Sequence, residues 1–381
     1  MKRKVSFYFL IDALGWTYLK EHRFLNDIAQ VRLPLRTVLG YSSGAIPSIL
    51  TGKQPREHGQ WNLLFLSPSS SPFRWIKSLT LLPDICLENK WTRRLINILT
   101  RRFAKHEGYF SSYGLPTRFL PMFDLVEKKN IYRADGISGN VTIFDFWENE
   151  NIPYESYSYH TATDKKIIQE LKANIQKEKN SVYFAYLAEI DAVLHEHCKE
   201  EVYISNVFRR YEKWIREVIE TAKHHYDEVS FFVFSDHGMT PVTRSVNLRA
   251  LAESSGLSLG KDYLAVYDST MGRFWSLSEN ASGILSKALR TCLDGHLIEP
   301  HEKSELGIDF DNNKYGDLIF LLDPGLVISP NFISSYMPQG MHGFHPDDPF
   351  SDGCYMSNVN GYSPRAITDL WSIFTSESLK Y

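Results

Sequence analysis

The chain has 381 residues, 43% of them hydrophobic, and a formal net charge of -3. That length can bury one large α/β core or two modest ones. The charge balance excludes a globally basic nucleic-acid binder, so no nucleic acid duplex is expected as a partner. Four widely spaced cysteines (Cys86, Cys198, Cys292 and Cys354) form no Cys-x-x-Cys pair. They read as reduced thiols, which points to a cytoplasmic protein.

The first element is an apolar strand over 5–11. The basic start Met1-Lys2-Arg3-Lys4 imitates a signal peptide, but Asp12 cuts the apolar run and no clean cleavage site follows. No stretch reaches the ~20 apolar residues of a membrane span, so the expectation is a soluble or peripheral protein. A Gly-Tyr-Ser-Ser turn leads into a short helix over 44–50. Further on, strands are predicted over 152–159, 182–190 and 230–235, with helices over 164–179 and 205–226. Later strands fit 263–267, 273–277 and 318–322. Alternating strands and helices predict a mostly parallel central sheet with helices on both faces.

Residues 63–140 break this alternation and read as an inserted cap within a single domain spanning 1–381. Between residues 72 and 105 lie eight Lys or Arg and two acids. Trp91, Leu95, Ile98 and Leu99 recur at helical spacing, with Arg93, Arg94, Arg101 and Arg102 largely on other sides. Such a surface can rest on anionic lipid or receive a lipid-like substrate. The plainer reading packs the apolar stripe onto the core and leaves the arginines in water.

Five segments carry residues suited to metal and phosphate chemistry. Asp12 ends the first strand; a turn or helix-capping aspartate is the simple alternative. Ser42, with Ser43 as its neighbour, opens the helix after the turn. There, free backbone N–H groups favour an alkoxide and a phosphate. Asp191 and His195 follow the 182–190 strand at i and i+4, so one helical turn puts both on one face; His197 competes with His195. Asp236 and His237 close a fully apolar strand, where burying two ionisable groups is costly unless something pairs with them. His342, with His345 in reserve, lies in a Gly-rich loop.

The order of these segments resembles the alkaline phosphatase superfamily, most closely its nucleotide pyrophosphatase/phosphodiesterase branch. In that branch the nucleophile lies nine residues before a Thr-Gly, and the line continues to Pro-x-x-His-Gly. Here Thr51-Gly52 precedes Pro55-Arg56-Glu57-His58-Gly59, and counting back nine gives Ser42. The branch commonly carries Thr there, so Ser is a chemically equivalent departure.

The resemblance implies an alkaline phosphatase-like α/β fold and two divalent metal ions. One would be held by Asp191, His195 and His342. The other would be held by Asp12, Asp236 and His237, with Ser42 reaching it. Asn62 is the nearest match to the asparagine that helps bind a phosphoryl oxygen, though it lies one position early. Zinc suits mixed Asp/His ligation and manganese is the alternative.

The implied activity is phosphodiester or pyrophosphate hydrolysis through a covalent phosphoserine. The implied substrate is a small-molecule phosphate ester, whether nucleotide, nucleotide-sugar or lipid-linked. A phosphomonoesterase, a phosphoryl transferase or an inactive metal-binding regulator are the competing readings. Ile46 stands where a sulfatase would place an arginine, which argues against that branch.

Overall fold

The computed structural model describes residues 3–333 and 336–380. The basic N-terminal start falls partly outside this range. Six strands form the central sheet, in the spatial order Val31–Leu35, Gly353–Ser357, Glu228–Phe234, Lys4–Ile11, Val182–Leu187 and Tyr154–Tyr157. All run parallel except Gly353–Ser357, which is antiparallel to both neighbours.

Lys4–Ile11 is almost wholly buried because both faces of the sheet are covered. Val5, Phe7, Phe9 and Ile11 meet the helices Asp164–Ile175, Glu189–His197 and Glu201–Lys223 on one side. Tyr8 and Leu10 meet Ser42–Thr51, Ile143–Asn149 and Leu370–Ser378 on the other. This is the period-two alternation of a strand with helices on both faces.

The later strands do not extend this sheet. Tyr263–Tyr267, Met271–Ser276, Leu318–Leu322 and Gly295–Leu297 make a separate four-stranded antiparallel sheet. Much of the inserted segment packs on it. Leu64–Leu66 pairs with Phe123–Leu125, and Phe73, Ile96, Leu115 and Leu120 join the core of the antiparallel sheet. Ile131, Tyr132 and Ile137 instead enter the core of the central sheet.

Several sequence boundaries shift. The strand predicted over 182–190 ends at Leu187, and a helix starts at Glu189. Ile190 is buried as part of that helix, which is why it resembled more strand. The 205–226 helix runs Glu201–Lys223, and the 164–179 helix stops at Ile175. All four cysteines are free thiols. Among the described residues, no helix is long and apolar enough to cross a membrane.

Candidate active site

Three neighbouring parallel strands end side by side, and each delivers acidic or imidazole groups to the same point. Asp12 follows Lys4–Ile11, Asp236 and His237 follow Glu228–Phe234, and Asp191 and His195 occupy the helix after Val182–Leu187. Carboxyl ends of strands are where open α/β sheets build their sites. His342 arrives from the far end of the chain, just after the short strand Gly340–Met341.

The two clusters touch. His195 Nε2 lies 3.3 Å from Asp191 Oδ2, and His342 Nε2 lies 3.6 Å from Asp191 Oδ1. His237 Nε2 lies 3.2 Å from Asp236 Oδ2 and 3.5 Å from Asp12 Oδ1. The His237 and His342 rings stack, with centroids 3.8 Å apart. Ligand atoms of Asp191, His195 and His342 lie within 4.8 Å of one another, and so do those of Asp12, Asp191 and His237. Asp191 therefore faces both groups.

Local hydrogen bonds aim these side chains. His195 Nδ1 sits 2.8 Å from the Gly340 carbonyl and His237 Nδ1 sits 2.9 Å from the Gly238 carbonyl. A carbonyl only accepts, so each Nδ1 carries the proton and donates it. In the neutral ring the Nε2 lone pair then faces carboxylate oxygens. Opposed lone pairs repel unless a proton or a cation lies between them, and this is the usual arrangement of a metal-ligating histidine.

Gly340 permits the close approach. A Cβ there would sit 2.7 Å from the Leu194 carbonyl and 2.9 Å from the Cys198 sulfur. Tyr41, Thr270 and the Gly343 carbonyl form a further chain that locks the His342 loop beside the Ser42 helix. Tyr41 Oη lies 2.8 Å from Thr270 Oγ1, which donates to Gly343 O at 2.8 Å.

The donor set fits a divalent cation. Asp12 Oδ1, Asp191 Oδ1, both Asp236 oxygens and His342 Nδ1 are buried without a hydrogen-bond partner. Orphaned carboxylate oxygens are costly to bury. Asp12 is pushed well above the usual carboxylate range, first by burial, then by the charges of Asp236 and Asp191. Burial lowers His195, yet the Asp191 charge more than compensates and holds it up at about 9. Both shifts register the same crowding of buried charge, which bound cations would relieve.

Ser42 and Ser43 separate clearly. Ser42 Oγ is 3.0 Å from His237 Nε2, whereas Ser43 Oγ donates to the Trp61 carbonyl at 2.8 Å. Ser42 is the first residue of its helix.

Other sequence candidates lie elsewhere. His197 bonds Glu200 and stacks on Tyr203, and His345 contacts Asp347. His58 braces the helix that Ser42 opens: its Nε2 is 2.9 Å from Ser48 Oγ, which in turn donates to Gly44 O. Asn62 is buried with its amide nitrogen against the Met271 sulfur at 3.3 Å, and it does not line the cavity.

That cavity holds about 320 Å³. Its walls include Tyr41, Tyr109, Tyr113, Tyr132, Tyr159 and Tyr186, and among the described residues no Lys or Arg side chain lines it. Tyr186 donates a hydrogen bond to Asp12 Oδ2. The inserted segment contributes Leu63, Leu64, Tyr109, Tyr113, Glu127 and Tyr132 to these walls. Glu127 is a buried carboxyl that sequence reasoning missed. Burial raises it to about 7, against one backbone hydrogen bond from Tyr109.

A serine at a helix start, beside Asp/His groups at the ends of adjacent parallel strands, is the arrangement that the resemblance to the alkaline phosphatase superfamily implies. The chain belongs to the type I phosphodiesterase / nucleotide pyrophosphatase family, whose model matches residues 7–345. It is a phosphoric ester hydrolase.

Its fold is similar to that of ectonucleotide pyrophosphatase / phosphodiesterase 5 from mouse and from human. Each superposes with a TM-score of 0.69 at 14% identity, covering 99% of this chain and 95% of the other. An inactive variant of the murine protein in complex with AMP gives 0.68 at 14% identity, with the same coverage. No curated protein sequence matches this chain.

Proposed function

We propose that this enzyme hydrolyses small-molecule phosphodiesters or pyrophosphates through a covalent phosphoserine on Ser42, at a site that holds two divalent cations. The observation that carries the reading is the set of orphaned, buried carboxylate oxygens beside the Ser42 hydroxyl. Asp191, His195 and His342 would hold one ion. Asp12, Asp236 and His237 would hold the other, with Asp191 facing both. The mixed donor set favours zinc, with manganese as the alternative. Bound cations supply Lewis-acid activation: they lower the pKa of a hydroxyl and neutralise phosphoryl oxygens.

Ser42 loses its proton to solvent and attacks phosphorus. The bond from Oγ to phosphorus forms as the bond to the leaving ester oxygen breaks, and solvent protonates that oxygen. Water then adds to the phosphoserine, restores the hydroxyl and releases the phosphorylated half of the substrate. Splitting the displacement in two makes each step easier. The start of the Ser42–Thr51 helix faces the cavity, where backbone N–H groups can bind phosphoryl oxygens.

Two further observations bear on the substrate. No Lys or Arg among the described residues lines the cavity, which favours a diester, with less charge to neutralise, over a monoester. The tyrosine-rich walls suit a flat or apolar leaving group. An inactive variant of a murine protein similar in fold forms a complex with AMP, which supports a nucleotide-type ester as the first to try.

The test is a panel of aryl and nucleotide monoesters and diesters, run with metal-loaded and chelated protein. Diesters should turn over fastest, chelation should abolish turnover, and a quenched reaction should carry phosphate on Ser42. Turnover that survives complete metal removal would overturn the reading. Faster monoester hydrolysis would favour the phosphomonoesterase alternative.

A further inference from the structure

Within the inserted segment, the stripe of Trp91, Leu95 and Ile98 does not pack on the core. In the helix Lys90–Phe103 it is Ile96 and Thr100 that are buried. Trp91 is 73% exposed, and Leu95, Ile98 and Phe103 are each more than half exposed. Trp91, Leu95, Ile98 and Arg102 stand at i, i+4, i+7 and i+11, so they share one outward face. Arg94 and Arg101 flank it at i+3 and i+10. Just upstream, Leu81 is 89% and Ile85 is 84% exposed.

The cations here are free of acids. Lys90, Arg94, Arg101, Arg102 and Lys105 are exposed, and none forms an ion pair among the described residues. Arg93 differs. It pairs with Glu88 and donates to the Leu115 carbonyl at 3.0 Å and to the Tyr113 carbonyl. Tyr113 lines the cavity, so Arg93 ties this helix to the cavity wall.

An exposed helix with Trp, Leu and Ile outward and arginines alongside matches an interfacial helix that lies flat in lipid headgroups. Tryptophan prefers that interface, and long arginine stems keep their charge in water while the apolar atoms insert. The charge is complementary too. Residues 72–105 carry eight cations and two acids in a chain whose net charge is -3. The rest of the molecule is therefore acidic and turns away from an anionic surface. We propose that the surface of residues 79–105 docks on an anionic lipid bilayer. The inference does not depend on the phosphoserine mechanism.

The experiment is co-sedimentation of the full chain with phosphatidylcholine vesicles, with or without phosphatidylserine. Wild type should pellet only with the anionic vesicles, and less as salt rises. Replacing Arg94, Arg101 and Arg102 together by Glu should lower the partition coefficient about a hundredfold or more. Trp91→Ser with Leu95→Ser should lower it about tenfold or more while the salt dependence remains.

All variants should hydrolyse a water-soluble ester like wild type, which shows that they fold. Wild type staying in the supernatant would overturn the proposal. So would equal binding to both vesicle types, or variants that pellet like wild type. A concentration-dependent dimer that Trp91→Ser abolishes would assign the face to a second copy instead, and would also overturn it.

Discussion

Glu127 offers a clean measurement because one physical effect dominates its chemistry. Its carboxyl is buried and receives a single hydrogen bond, from the Tyr109 backbone N–H at 3.4 Å. Burial moves it from an ordinary 4.5 to about 7. A carboxyl raised in the folded state favours the protonated form there. Its contribution to stability is complete below the unfolded value and is lost as pH rises through the folded one. A shift of that size corresponds to about 3 kcal/mol at full development.

Glu127→Gln keeps the shape of the neutral acid and removes the titration. Urea unfolding, followed by far-ultraviolet circular dichroism, should be run on both proteins at about pH 5 and about pH 8. The advantage of the variant should grow by about 2.5 kcal/mol between the two, since a small part of the loss has already occurred at the lower pH. A difference between the proteins that stays constant across this window would refute the assignment of Glu127 as a desolvated acid.

The two serines should part company in kinetics. Ser42→Ala should lower turnover on the order of a thousandfold or more, with metal content unchanged by atomic absorption. Ser43→Ala loses one bond to the Trp61 carbonyl and should cost about 1 kcal/mol of stability, leaving turnover within about tenfold. Arg273 is fully buried; it donates to Asp268 at 2.7 Å and to the Leu64 carbonyl at 2.7 Å. Arg273→Met should therefore cost about 3–5 kcal/mol in denaturant unfolding, because Asp268 is left as an uncompensated buried charge. Adding Asp268→Asn should restore part of that loss.

Much of the site was legible because ionisable residues at the ends of apolar runs stand out. Asp12 and the Asp236-His237 pair sit where strands of almost uninterrupted Phe, Val, Leu and Ile stop. The i, i+4 spacing of Asp191 and His195 resolved into one helical face, as periodicity predicts.

Other features were hidden for definite reasons. Val31–Leu35 carries little strand signal because Pro34 argues against one, yet it lies at the sheet edge, where a missing N–H is tolerated. Gly353–Ser357 is short and carries little β-branched signal. Glu127 lies in an irregular stretch with no periodicity to mark its burial. The helix Lys90–Phe103 was readable as amphipathic, but periodicity does not say which stripe faces inward. Ile96 and Thr100, rather than Trp91 and Leu95, took that side.

The contact of His342 with Asp191 has a consequence during synthesis. Asp12, Asp191 and Asp236 emerge from the ribosome well before the one histidine that links to Asp191 from the far side. Until the strand Gly340–Met341 arrives, His195 also lacks the carbonyl that fixes its ring. A nascent chain stalled before Gly340 would hold a crowded, half-built nest of acids without the histidine that completes it.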